Sequence, residues 1–164
     1  MKIVAFVDTL GFKKKTSTLS HENAKKVLKR FNSEIYQLWI RFNYNQDHSI
    51  QGQTFSDSLI IYTNDSNESL QKILSFLSEL YKIAITNVDL PLRGGIGIGD
   101  FDRIPATNFN NLQKELIIGS AFIDAYFLES TNKIKGSKIV YRHNIHQKIE
   151  KKLEGFSSRK LVKL

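Results

Sequence analysis

Two aspartates occupy positions where an apolar strand normally excludes charge. Asp8 directly follows Ile3-Val4-Ala5-Phe6-Val7, and Asp57 directly precedes Ser58-Leu59-Ile60-Ile61-Tyr62. A carboxylate at the end of a buried strand is costly to desolvate, so it stays wet, pairs with a cation or binds a metal. If the two strands are neighbours, Asp8 and Asp57 form a dicarboxylate site on one sheet. Such a pair suits one or two divalent ions, Mg2+ or Mn2+, because magnesium takes one or two carboxylates and completes its shell with water and substrate phosphate. Two ions about 3.5–4 Å apart can stabilise both the attacking and the leaving oxygen of an in-line displacement. The amides of Leu10, Gly11 and Phe12 could cradle a triphosphate, with Lys13, Lys14 and Lys15 adding favourable field. The plainer reading is that both aspartates cap turns. The five apolar residues before Asp8 count against it, since turn chemistry alone requires no charge there.

The elements that must position this pair follow from hydrophobic periodicity. Residues 2–8 read as a buried strand and Thr9–Thr18 as a loop. Ser20 caps a helix with Glu22 in its first turn, and Ala24, Val27, Leu28, Phe31, Ile35, Leu38, Trp39 and Phe42 give it one apolar face. Trp39 and Phe42 are read as core. Residues 48–54 and 57–63 read as strands joined by a tight turn around Phe55-Ser56. Asn64–Asn67 is a turn, and Ser66 or Asn67 caps a second helix with the stripe Leu70, Ile73, Leu74, Leu77, Leu80, Tyr81 and Ala84. After Pro91, Leu92–Gly99 is a glycine-rich strand, whose glycine density signals the close approach of another backbone, helix or ligand. Asp100–Asn111 reads as an exposed loop, Leu112–Ile118 as a short strand, and Gly119-Ser120 opens a helix to about Ser130. Lys138–Arg142 is strand-like, Ile145, Ile149 and Leu153 mark a basic helix, and Lys160–Leu164 is a last strand or a frayed end.

The first six elements match the βαββαβ, ferredoxin-like split unit, an α+β fold here carrying a C-terminal βαβ addition. In that topology the first and third strands are central antiparallel neighbours. Asp8 then faces Asp57.

Composition narrows the setting. At 164 residues the chain is expected to be a single domain, and 41% hydrophobic content with two prolines marks a folded globule. The absence of cysteine excludes disulfides and thiolate metal sites and fits an intracellular setting. The start is too short and wrongly flanked for a signal peptide, and no segment approaches the roughly 18 apolar residues of a membrane span; a cytoplasmic location is expected. A net charge of +8 and a pI near 9.6 point to an anionic partner: nucleic acid, an acidic membrane surface or a polyphosphate substrate. The chain lacks the interleaved aromatic and basic pattern of a stacking platform, which counts against nucleic acid.

Four segments in order resemble the class III nucleotidyl cyclases. Phe6-Val7-Asp8-Thr9-Leu10-Gly11-Phe12 resembles the first metal strand and phosphate loop, and Gln53-Thr54-Phe55-Ser56-Asp57 is similar to the hairpin carrying the second metal aspartate. Leu92-Arg93-Gly94-Gly95-Ile96-Gly97-Ile98-Gly99 looks like the arginine-led glycine strand, and Ile118-Gly119-Ser120-Ala121-Phe122 through Glu129 like the last helix. The resemblance implies a homodimer with active sites at the interface and two metals on Asp8, Asp57 and the Thr9 carbonyl. Attack of a ribose 3′-hydroxyl on the α-phosphate of a nucleoside triphosphate would release pyrophosphate. It assigns Asp8, Asp57 and Arg93 to catalysis, and Thr9, Leu10, Gly11, Phe12, Gln53 and Ser56 to the nucleotide.

The departures are as informative. Where many cyclases place a ribose-orienting asparagine and a transition-state arginine, this chain has Ile123 and Phe127. The purine-reading lysine position is Gln53, and its partner falls on Leu116. The segments are most similar to the Pycsar-type pyrimidine cyclases of anti-phage defence, which implies a UTP or CTP substrate. A degenerate cyclase-like dimerisation module and a basic nucleic-acid-binding domain stand as alternatives. Gln51 shares a strand face with Gln53 and could also meet a base edge. Lys133, Lys135 and Lys138 could supply missing cationic help, Arg93 could instead brace the fold, Tyr44 and Tyr62 read as core or rim, and His143 with His146 lacks a third ligand for a metal.

Overall fold

The computed structural model describes residues 1–105, 115–130, 136–142, 145 and 161–163. In chain order the elements are β1 (Lys2–Thr9), α1 (Phe12–Ser17), α2 (His21–Arg41), β2 (Ile50–Phe55), β3 (Ser58–Asn64) and α3 (Asn67–Ile83), which runs into a π-helical turn at Ala84–Val88. There follow β4 (Leu92–Gly99), β5 (Asp102–Pro105), β6 (Glu115–Ile118), α4 (Ser120–Ser130), β7 (Ile139–Tyr141) and β8 (Leu161–Lys163). The main sheet has the order β2-β3-β1-β4-β7-β8, while β5 and β6 form a separate two-stranded ribbon. β1 lies antiparallel to both β3 and β4, and β7 and β8 extend the sheet in parallel.

Alternation along β1 divides the core. Ile3, Ala5 and Val7 pack on one face with Phe31, Ile35 and Leu38 of α2 and Leu70, Ile73, Phe76, Leu77 and Leu80 of α3. Val4 faces the other side, with Ala121 and Ala125 of α4. Both long helices begin as their caps require, Ser20 accepting from the Asn23 amide and Ser66 from the Ser69 amide.

The glycine strand meets a helix backbone. A Cβ on Gly95 would lie 2.0 Å from the Ala125 carbonyl oxygen, and one on Gly97 2.2 Å from that of Ala121. The missing side chains let α4 lie directly on β4 and β1. α4 thus covers β4 and β1 on this sheet face and leaves β2 open, with Gln51 exposed and Phe55 77% exposed.

Several boundaries differ from the sequence reading. Residues Phe12–Ser17 are helical within the expected loop. Lysines tolerate helix well, and Lys15 fastens the turn to Asp89 at 2.9 Å. Asp102–Pro105 is a strand within the expected exposed loop, because β6 supplies its partner. The hairpin strands run 50–55 and 58–64 rather than 48–54 and 57–63, which leaves Asp57 in the turn. Among the C-terminal elements, the expected helix after Ile145 lies outside the described residues, and Leu161–Lys163 pairs with β7 as a last strand.

Gly95→Ala is expected to lower the unfolding free energy by about 2 kcal/mol or more, because the new methyl group meets backbone that cannot move aside. Chemical denaturation checks this, and an unchanged midpoint would contradict the seating of α4.

Candidate active site

The two aspartates meet at the end of β1, held by a crossed pair of hydroxyls. Asp8 stands opposite Ser58 in the β1–β3 ladder and opposite Arg93 in the β1–β4 ladder. Ser58 Oγ donates to Asp8 Oδ1 at 2.7 Å, and Thr9 Oγ1 donates to Asp57 Oδ2 at 2.6 Å. Each aspartate is therefore held by the residue that follows the other. Bonds this short from a hydroxyl to a carboxylate are charge-assisted. Asp57 reaches Thr9 from a two-residue turn in which Ser56 sits at φ 55°, a left-handed conformation that a non-glycine residue adopts only under constraint.

The site is electrostatically uneven. Burial pushes the Asp8 carboxyl above its ordinary value of 3.8, and the Asp57 and Glu129 charges push the same way, while the Ser58 hydroxyl and the Thr9 amide partly oppose them. Glu129 of α4 is 4% exposed, and both Nε and Nη2 of Arg93 bind its Oε1 at 2.7 Å. Arg93 is thus engaged with a carboxylate that sequence reasoning had placed only within a helix motif. A half-buried arginine beside a buried carboxylate forms such a pair, but nothing in the spacing of residues 93 and 129 announces it.

The remaining candidates spread around this centre. Gly11 sits at φ 76°, which only glycine accepts easily, and turns the chain from β1 into α1. The Leu10 amide donates to the Pro91 carbonyl at 2.7 Å. Those of Gly11 and Phe12 open α1, where a helix leaves its first amides without intrahelical partners. Gln53 lies on β2 with its Oε1 buried and unpartnered. Ile123 and Phe127 are 50% and 62% exposed on the outer side of α4, and Leu116 is exposed on the β5–β6 ribbon. Lys138 offers its carbonyl to Tyr81 and Gly94. Lys133, Lys135, His143 and His146 lie outside the described residues.

Among the described residues, no three or more His, Cys, Asp or Glu side chains gather into a metal-binding group. The donors present are two carboxylates and a strand-end carbonyl, all hard oxygens. That set fits magnesium or manganese with substrate phosphates completing the shell, and it does not fit a closed protein cage. Burial, and after it the neighbouring Asp57 and Glu129 charges, disfavour an ionised Asp8, and a divalent cation would offset both.

No protein-family model matches the sequence, and no curated protein matches it by sequence. Solved structures do. The adenylyl cyclase CyaB from P. aeruginosa superimposes with a TM-score of 0.69 at 16% identity, over 92% of this chain and 80% of that one. The dimeric guanylyl cyclase domain of the RhoGC fusion protein from Blastocladiella emersonii gives 0.70 at 15%, over 92% and 83%. The guanylate cyclase domain of RhGC from Catenaria anguillulae, in complex with GTP, gives 0.69 at 17%, over 91% and 81%. The fold is that of the adenylyl and guanylyl cyclase catalytic domains. Within this cyclase fold, Asp8 and Asp57 share one end of the central strand pair, whereas Ile123, Phe127 and Leu116 place exposed apolar surface on α4 and the ribbon. No helix among the described residues is long and apolar enough to cross a membrane.

The raised Asp8 value has a signed consequence. The fold favours the neutral carboxyl, so this group's stabilising contribution is present below pH 3.8 and is lost as pH rises through the raised value. Asp8→Asn should therefore melt higher than the wild type at neutral pH in chelator, with the gap closing as the pH falls below 3.8. Thermal melts across pH check this. A variant that melts lower at neutral pH would contradict the cost of burying an ionised Asp8 beside Asp57 and Glu129.

Proposed function

We propose that this chain, as one catalytic domain over residues 1–164, is a metal-dependent nucleotidyl cyclase. It would convert a nucleoside triphosphate, UTP or CTP, into a 3′,5′-cyclic mononucleotide and pyrophosphate. The observation that carries the reading is the pair of carboxylates, Asp8 and Asp57, fixed by crossed hydroxyls at one end of a cyclase-type sheet. Asp8, Asp57 and the Thr9 carbonyl would hold two Mg2+ or Mn2+ ions. Bound there, the ions would stabilise charge on the attacking 3′-oxygen and on the departing pyrophosphate.

The chain's own residues would do the rest. The turn at Leu10, Gly11 and Phe12 would receive the phosphates, with the Leu10 amide released from Pro91. Ser56, in the turn beside Asp57, would contact the nucleotide, and Gln53 would take a hydrogen from the base. Arg93 would neutralise phosphate charge, with Glu129 keeping its guanidinium in place. The new bond joins O3′ to the α-phosphorus, the bond to the pyrophosphate oxygen breaks, and the hydroxyl proton passes to water. Positioning and charge stabilisation supply most of such a rate enhancement.

A homodimer belongs to the same proposal. Ile104, Leu116, Ile118, Ile123, Tyr126 and Phe127 expose apolar surface on α4 and the ribbon, and such patches mark interaction sites. The pyrimidine substrate and a role as a signal in anti-phage defence are supported by the resemblance of the sequence motifs. A second reading, a module that dimerises without turnover, is favoured by Ile123 and Phe127 alone.

Incubating the purified chain with each of the four ribonucleoside triphosphates and Mn2+ should yield a cyclic mononucleotide, with UTP or CTP preferred. A folded dimer that makes no cyclic product from any of them would sink the enzyme reading. Asp57→Asn should lower turnover by about a hundredfold or more while leaving the melting temperature close to that of the wild type. Phe127→Asp should shift the chain to a monomer in light scattering and abolish turnover; an intact, active dimer would move the interface elsewhere.

A further inference from the structure

On the sheet face that α4 leaves open, a hydrogen-bonded chain crosses three strands. Arg103 of β5 donates through Nη1 to the Tyr62 hydroxyl of β3, and that hydroxyl donates to Gln51 Oε1 of β2 at 2.6 Å. Gln51 and Tyr62 are direct partners in the β2–β3 ladder. The Arg103 guanidinium carbon also lies 5.7 Å from the centroid of the Tyr62 ring, and the Phe101 ring centroid lies 4.6 Å from it. Tyr62 itself is buried.

Chemistry fixes the direction of this chain. A guanidinium only donates, so the Tyr62 oxygen accepts from Arg103 and its single hydrogen goes on to Gln51. The Gln51 atom that receives it must be the carbonyl oxygen. The usual twofold ambiguity of a glutamine amide is therefore removed, and the Nε2 donors of this exposed side chain point away from Tyr62. Two residues along the same strand face, Gln53 carries a buried Oε1 with no partner among the described residues. The fixed, exposed Gln51 donor matches an acceptor on a nucleobase edge, and the Gln53 amide, whose Oε1 is now covered, would supply the neighbouring acceptor once its side chain turns outward to a donor on that edge.

We infer that Gln51, its amide locked by Tyr62 and Arg103, is a specificity-determining residue for the nucleobase and works together with Gln53. The inference rests on the nucleotide-binding reading above. Uracil and cytosine have the same ring size and differ on this edge by exchanging acceptor and donor. A glutamine free to turn over fits both, whereas one held by Tyr62 fits one of them in a given pose.

The test is calorimetric, on the full chain with Mn2+ and the α,β-methylene analogues of UTP, CTP, ATP and GTP. The wild type should separate the uracil from the cytosine analogue by about tenfold or more. Tyr62→Phe keeps the ring against Phe101 but removes the lock, and it should bring that ratio close to one. Gln51→Glu replaces the exposed donors with acceptors and should weaken the preferred analogue by about tenfold while sparing the other. Both variants should melt near the wild type. Equal affinity of the wild type for both pyrimidines, or a wild-type ratio in both variants, would overturn this inference and leave the cyclase reading standing. Failure of the wild type to bind any of the four analogues would remove the nucleotide reading and this inference with it.

Discussion

The structure turns on two hydroxyl–carboxylate bonds that cross between neighbouring strands. Thr9, next to Asp8, holds Asp57, and Ser58, next to Asp57, holds Asp8. This arrangement exists only in the register that sets Asp8 opposite Ser58. A slip of one residue would turn every side chain of β1 to the other face, carrying Ile3, Ala5 and Val7 out of the main core and Asp8 away from its partner. The packing of the core and the geometry of the site are thus fixed by the same pairing. The left-handed Ser56 is a local strain that this pairing sustains.

Around that centre, charge is balanced by elements far apart in sequence. Asp8, Asp57 and Glu129 bring three carboxylates close to one end of the sheet, and among the described residues Arg93 is paired with one of them, Glu129. Glu129 can be there because α4 rests directly on the glycines of β4. A buried ion pair is weak evidence for stability, since well-packed apolar residues often do as well. Its position opposite Asp8 gives it a different significance: it sets the local field at the site. Glycine-driven packing and site electrostatics are therefore linked through one helix.

Much of this was legible in the sequence because it is periodic or local. The apolar runs of β1 and β3, the stripes of α2 and α3, their serine caps, and the close approach at the β4 glycines all follow from spacing, and so does the meeting of Asp8 with Asp57. The crossed hydroxyls were not read, because serine and threonine after an aspartate are ordinary in turns. Two features escaped for want of local pattern: the four-residue β5, which exists only through pairing with β6, and the short α1. The Arg93–Glu129 pair and the Arg103–Tyr62–Gln51 chain join residues whose sequence separation carries no signal. Such contacts become visible only when the strand order is known.

The central claim is that Asp8 and Asp57 together hold a divalent cation. The most direct measurement is anomalous diffraction at the manganese edge from crystals grown with Mn2+ and a non-cyclising triphosphate analogue. Expected is anomalous density between the two carboxylates, lost in Asp8→Asn. Nucleotide bound with no manganese at that position, or manganese bound elsewhere with Asp8 and Asp57 still joined only to Ser58 and Thr9, would contradict it.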